Sequence, residues 1–121
     1  MNKEEAERLV NSLEPGNFIR AKFLYLGSSS RVEEASFILK LISIEDEGRF
    51  FFKILKSDYD ISKKNMRIRR QKLIEELQMP DSVKRYILAK HSFWAFVSAV
   101  KVINYFEKIS ELEASLEMLV I

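Results

Sequence analysis

The chain has 121 residues, with 20 Lys plus Arg against 18 Asp plus Glu and a formal net charge of +2. Its 47% hydrophobic and 12% aromatic content suffices for one packed core and excludes a disordered chain, while three Gly and two Pro exclude a collagen-like or linker-like polymer. The absence of Cys removes a disulfide scaffold, a thiol nucleophile and a thiolate metal site together.

The first residues, Met1-Asn2-Lys3-Glu4-Glu5-Ala6-Glu7-Arg8, are too acidic for the basic-then-apolar order of a secretory signal. A stretch from Ser92 to Phe106 has Lys101 as its only charge, but a membrane span needs about 20 apolar residues. The expectation is a cytoplasmic protein with no membrane partner.

In chain order, Ala6, Leu9, Val10 and Leu13 recur at helical spacing, with acids in the first turns and Pro15-Gly16 as the stop. Phe18 to Leu26 alternates: Ile19, Ala21, Phe23 and Tyr25 share one face, and Arg20 and Lys22 begin the other. Gly27 and three serines end that strand. Residues 36–44 and 49–55 are rich in Phe, Ile and Leu, and Glu45-Asp46-Glu47-Gly48 between them suits a four-residue hairpin loop. Both faces of these strands read as largely apolar, which predicts a central, covered meander. Phe50-Phe51-Phe52 puts at least one aromatic on each face.

Met66, Leu73, Ile74 and Leu77 predict a helix ending near Gln78, before Met79-Pro80, and Asp81-Ser82 can cap the next one. For the last third, strand and helix compete. Val97, Val100, Val102, Ile103 and Tyr105 favour a strand. Ala95, Ala99, Val102, Phe106, Ile109, Leu112, Leu116 and Leu119 follow steps of three or four throughout, which favours one long helix from Ser92 to Met118.

The expected architecture is therefore α+β and a single domain over 1–121. It has a three-stranded antiparallel meander preceded by one helix and followed by two shorter helices and a long C-terminal helix. Residues 1–60 hold the helix and meander, 61–91 a basic helical segment and 92–121 the long helix. Phe37, Leu39, Leu41, Phe50, Phe52, Ile54, Val102 and Phe106 are the expected core.

Charge is uneven. Residues 61–91 carry 9 basic and 3 acidic side chains, whereas the segments before and after are each net −2. As a helix, Lys63-Lys64-Asn65-Met66-Arg67-Ile68-Arg69-Arg70-Gln71-Lys72 followed by Glu75-Glu76 opposes its own macrodipole. An anionic partner would relieve it. Alternatively Met66-Arg67-Ile68-Arg69 alternates as an edge strand or loop whose cations protect the edge, or the block is a plain solvated face.

The chemistry-bearing inventory is thin. His91 is the only histidine, at a helix junction, and is read as a capping or partly buried residue. Asp58-Tyr59-Asp60 is the best carboxylate pair for a hard cation but lacks a third ligand, and Glu45-Asp46-Glu47 reads as a charged hairpin tip. The Gly27-to-Arg31 loop lacks a phosphate-loop pattern. No enzyme activity, metal or cofactor is expected.

The function expected is a small non-catalytic binding or accessory protein that contacts nucleic-acid phosphates through Lys63, Lys64, Arg67, Arg69, Arg70, Lys72, Lys84 and Arg85. The alternative is a homodimeric or adaptor module for a protein partner, using Phe106, Ile109, Leu112, Leu116 and Leu119 of the C-terminal helix.

Overall fold

The computed structural model describes residues 1–26, 32–59, 65–84 and 102–119. The first helix, α1, spans Lys3–Asn11. Its start is set by Asn2, whose side chain accepts from the Glu5 backbone N–H at 2.8 Å and donates to the Glu5 carboxylate at 3.2 Å. Ala6 and Val10, one turn apart, are buried on its inner side. The following turn is sewn to the sheet. Gly16, at φ 96°, donates its N–H to the Leu41 carbonyl at 2.7 Å, and Leu41 donates back to Asn17 at 2.9 Å.

Five antiparallel strands follow: β1 Phe18–Leu26, β2 Val32–Glu45, β3 Arg49–Ser57, β4 Asn65–Arg69 and β5 Val102–Ile109. Their order in the sheet is β4-β3-β2-β1-β5. Between β3's partner β2 and β3 itself lies a single 3₁₀ turn, Asp46–Gly48. Helix α2, Arg70–Gln78, follows β4 directly, and α3, Glu111–Leu119, follows β5 after one residue.

The sheet curls. Its outer strands, β4 and β5, are separated by three others, yet α2 packs against both. Likewise the rings of Phe52 on β3 and Phe106 on β5 lie 6.0 Å apart, although β2 and β1 intervene and strands are spaced about 4.8 Å. The concave side holds the core: Ile19, Ala21 and Phe23 from β1, Phe37, Leu39 and Leu41 from β2, and Phe50 and Phe52 from β3. Ile68 of β4, Ile103 and Phe106 of β5, and the inner faces of α1 and α2 complete it.

The α+β class and the β1–β2–β3 meander stand, and β1 has the bounds its alternation predicts. The three-stranded count does not stand. The predicted core is buried as expected at Phe37, Leu39, Leu41, Phe50, Phe52 and Phe106, and Ile54 packs half-buried against it. The side chain of Val102 lies outside the described residues.

The long C-terminal helix is instead strand β5, then Ser110, then α3; residues 92–101 lie outside the described residues. In β5 the register against β1 shifts between Lys22 and Phe23, so that Lys22 faces Tyr105 and Phe23 faces Ile103. The extra residue, Asn104, puts Ile103 and Phe106 on the same concave side three positions apart. A bulge thereby imitates helical spacing. The new helix is started by Ser110, whose hydroxyl accepts from Glu113 N at 3.1 Å and faces its carboxylate at 3.4 Å.

The basic segment is also not one helix. Residues 65–69 are edge strand β4, with Met66 and Ile68 turned to the core, and only from Arg70 onward is the chain helical. The edge-strand alternative is the one realised. The helix ends at Gln78 as its apolar pattern predicts, and residues 81–84 form a further helical turn after Pro80. The hairpin loop is one residue shorter than expected, because β2 runs through Glu45.

Candidate nucleic-acid interface

The convex side of the sheet is built from the residues that alternate with the core. Strand pairing arranges them in rows. The first row crosses all five strands: Ile109, Phe18, Lys40, Lys53 and Asn65. The second contains Ser43, Phe51 and Arg67, and the third Glu45, Arg49 and Arg69. Lys40 and Lys53 are therefore direct cross-strand neighbours, as are Arg49 and Arg69. Like charges directly opposite one another destabilise a sheet.

Few acids offset them. Glu45 accepts from Arg67 Nε at 2.9 Å. Among the described residues, Lys40, Lys53, Arg49 and Arg69 make no ion pair within 4.0 Å. Arg49 donates instead to the Asp46 carbonyl at 3.5 Å, at the edge of the acidic turn that bounds the strip. Two aromatics lie among the cations. The Arg67 guanidinium sits 4.5 Å from the Phe51 ring centroid, and the Lys40 ammonium 5.6 Å from that of Phe18. Both rings are half-buried.

The expected phosphate-binding residues divide. Arg67 and Arg69 stand on this strip, exposed, on strand β4. Arg70 points the other way and donates to the Asn11 side-chain oxygen, fastening α2 to α1. Lys72 lies 3.8 Å from Glu76 along α2. Lys84 is buried, its side chain 3% exposed and 3.8 Å from Asp81, so it is not placed to meet a phosphate. Burial pushes its ammonium pKa down. Lys63, Lys64, Arg85 and His91 lie outside the described residues. Lys40, Arg49, Lys53, Phe18 and Phe51 were not among the expected residues. Their signal is the alternation Arg49-x-Phe51-x-Lys53 opposite Phe50, Phe52 and Ile54.

On the same side α3 packs on β1 and β2. Arg20 of β1 meets three carboxylates there: Glu117 at 2.6 Å, Glu107 at 3.3 Å and Glu113 at 4.0 Å. The hydrogen bond that Arg20 donates to the Glu117 carboxylate raises the guanidinium pKa further. Lys56 donates to the Glu117 carbonyl at 2.6 Å. Of α3, Ala114 is buried, whereas Leu112, Leu116, Met118 and Leu119 are 69%, 54%, 48% and 75% exposed. The expected partner stripe is thus split. Phe106 belongs to the core on β5, Ile109 ends that strand half-buried, and Leu112, Leu116 and Leu119 alone share an open helix face.

Among the described residues no three His, Asp or Glu side chains converge to hold a metal ion. The Asp58 carboxylate accepts from the Ser36 backbone N–H at 2.8 Å, so it serves the β2–β3 end; Asp60 lies outside the described residues. Among the described residues no helix is long and apolar enough to cross a membrane. No protein-family model, no curated protein and no solved structure matches the chain.

Proposed function

We propose that the protein binds single-stranded nucleic acid, without catalysing a reaction on it, along the convex strip of β2, β3 and β4. The observation that carries this reading is the pair of like-charged cross-strand neighbours, Lys40 with Lys53 and Arg49 with Arg69, on either side of Phe51. A sheet gains nothing by itself from such pairs, and a row of phosphates relieves both. Phe51 offers a ring for a base, and Arg67 lies over it. In this reading Lys40, Arg49, Lys53, Arg67 and Arg69 hold backbone phosphates and set position, not sequence.

Fluorescence anisotropy with labelled oligonucleotides tests it. Five phosphate contacts on a single strand correspond to a log–log salt slope of about −3.5. Replacing Arg67 and Arg69 by Ala should make that slope shallower by about 1.4 and weaken all sequences alike. No binding at low salt, or binding untouched by the double substitution, rejects the proposal.

A second reading rests on α3. Leu112, Leu116 and Leu119 are exposed on one helix face, which suits an adaptor or homodimer contact. Light scattering across a concentration series tests it: a mass that stays monomeric rejects self-association through this face.

A further inference from the structure

Helix α3 is inverted relative to an ordinary surface helix. Its leucines face solvent, and two of its acids, Glu113 and Glu117, reach Arg20 on the sheet. An amphipathic helix that belongs permanently to a core does the reverse. Residues 111–119 contain Glu111, Glu113 and Glu117 and no base. They lie on the same convex side as the cationic strip. The helix is held by Ala114, by the Arg20 contacts and by the Lys56 bond to its last turn. At nine residues it is too short to persist by propensity alone. Beneath its C-terminal end is a cleft of about 400 Å³ whose polar lining is Arg20, Lys22, Ser36, Lys56, Ser57 and, as acids, Asp58 and Glu117, with Phe37 and Ile38 as its apolar part.

We propose that α3 is a displaceable cover over a second phosphate-binding section of the sheet, with the Glu117 carboxylate occupying the place of a phosphate on Arg20. A polyanion running along β2 from Lys40 reaches Arg20, Lys22 and Lys56 next, because Ile38, between Arg20 and Lys56, is two residues from Lys40. Lifting α3 removes Glu113 and Glu117 from this path. Among the described residues Arg20 then keeps Glu107 alone, a carboxylate that already accepts from the Tyr105 hydroxyl. Lys22 keeps Glu34, at 3.9 Å. This inference rests on the nucleic-acid reading for the identity of the polyanion.

Two probes, inorganic tripolyphosphate and a single-stranded oligonucleotide, separate the two claims when hydrogen exchange of residues 111–119 is followed in the full chain. Faster exchange of α3 with either probe bound supports displacement. Oligonucleotide binding that leaves α3 exchange unchanged or slower overturns the cover and leaves the convex strip standing. Faster exchange with tripolyphosphate but no oligonucleotide binding keeps the cover and rejects the nucleic-acid reading. Binding of neither probe rejects both. The substitution Glu117→Gln should tighten polyanion binding about two- to five-fold, the range of one surface ion pair. Glu4→Gln makes the same charge change on α1, on the opposite side of the sheet, and should leave affinity unchanged. Equal effects of the two substitutions overturn the inference, since net charge would then be the cause.

Discussion

Arg67 lies over Phe51, its guanidinium 4.5 Å from the ring centroid, while its Nε reaches Glu45 at 2.9 Å. One edge-strand cation thus joins three strands of the convex side, since Glu45 is on β2, Phe51 on β3 and Arg67 on β4. The arrangement holds the arginine in place while leaving its side chain 57% exposed. It also shields the edge strand, because a charged, stacked side chain obstructs pairing by a second sheet.

The Lys40–Lys53 neighbours separate stability from binding. Lys53→Glu converts a repulsive cross-strand pair into an attractive one and should stabilise the fold by about 0.2–1 kcal/mol. The same change should weaken oligonucleotide binding. Urea denaturation and anisotropy measure the two effects, and a lower unfolding midpoint would show that Lys53 does not sit against Lys40 in solution.

Phe51 and Phe52 are adjacent in sequence and opposite in role. Phe52 is fully buried beside Phe106, so Phe52→Ala should cost about 3–5 kcal/mol of stability. Phe51→Ala should cost well under half of that, while removing about 1–3 kcal/mol of stacking from bound single strand. Equal losses of stability in the two variants would place Phe51 in the core.

Tyr25 donates its hydroxyl to Glu33 at 2.8 Å, and that carboxylate, together with burial, pushes the phenol from its ordinary 10.0 up to about 12. The folded value is raised, so the associated stability is complete below pH 10 and is lost as pH rises through 12. Absorbance titration of tyrosinate should show this late ionisation. In Glu33→Gln it should return towards the ordinary value; a titration indifferent to the substitution would mean that the hydrogen bond does not form.

Glu76 on α2 accepts from the Ile103 backbone N–H at 3.2 Å, tying the helix to β5. Burial pushes its carboxyl above the usual 4.5, against the pull of Lys72 and of that hydrogen bond. Its contribution to stability is complete below 4.5 and falls as pH rises through the raised value, where a charge must be buried. Glu76→Gln keeps an acceptor for Ile103 and has no charge. The variant's stability relative to the parent should therefore increase from pH 4 to pH 7. Unfolding midpoints that keep a constant gap over that range would contradict the assignment.

Much of the concave side was legible from the residues alone. Alternation in Ile19-x-Ala21-x-Phe23 fixes which face of β1 is buried, because side chains point to opposite sides at every step. The Phe37, Leu39, Leu41 and Phe50, Phe52 series does the same for β2 and β3. Met79-Pro80 sets the end of α2, since the residue before a proline is pushed out of helical geometry. The concentration of cations between residues 61 and 91 was equally plain, and so was the possibility that Arg67 and Arg69 lie on an edge strand.

Tertiary structure decided the rest. The bulge at Asn104 spaces Ile103 and Phe106 as a helix would, and only pairing with β1 distinguishes the two. Ser110-Glu111-Leu112-Glu113 has the capping pattern that separates strand from helix, whereas the sequence reading set the apolar count against β-propensity alone. The convex strip combines Lys40, Arg49 and Lys53 with Arg67 and Arg69, residues up to 29 positions apart that lie in no common run of the sequence. Composition and periodicity report how each segment divides its own faces. Which segments stand side by side depends on strand register, and register is settled by burying every apolar face at once.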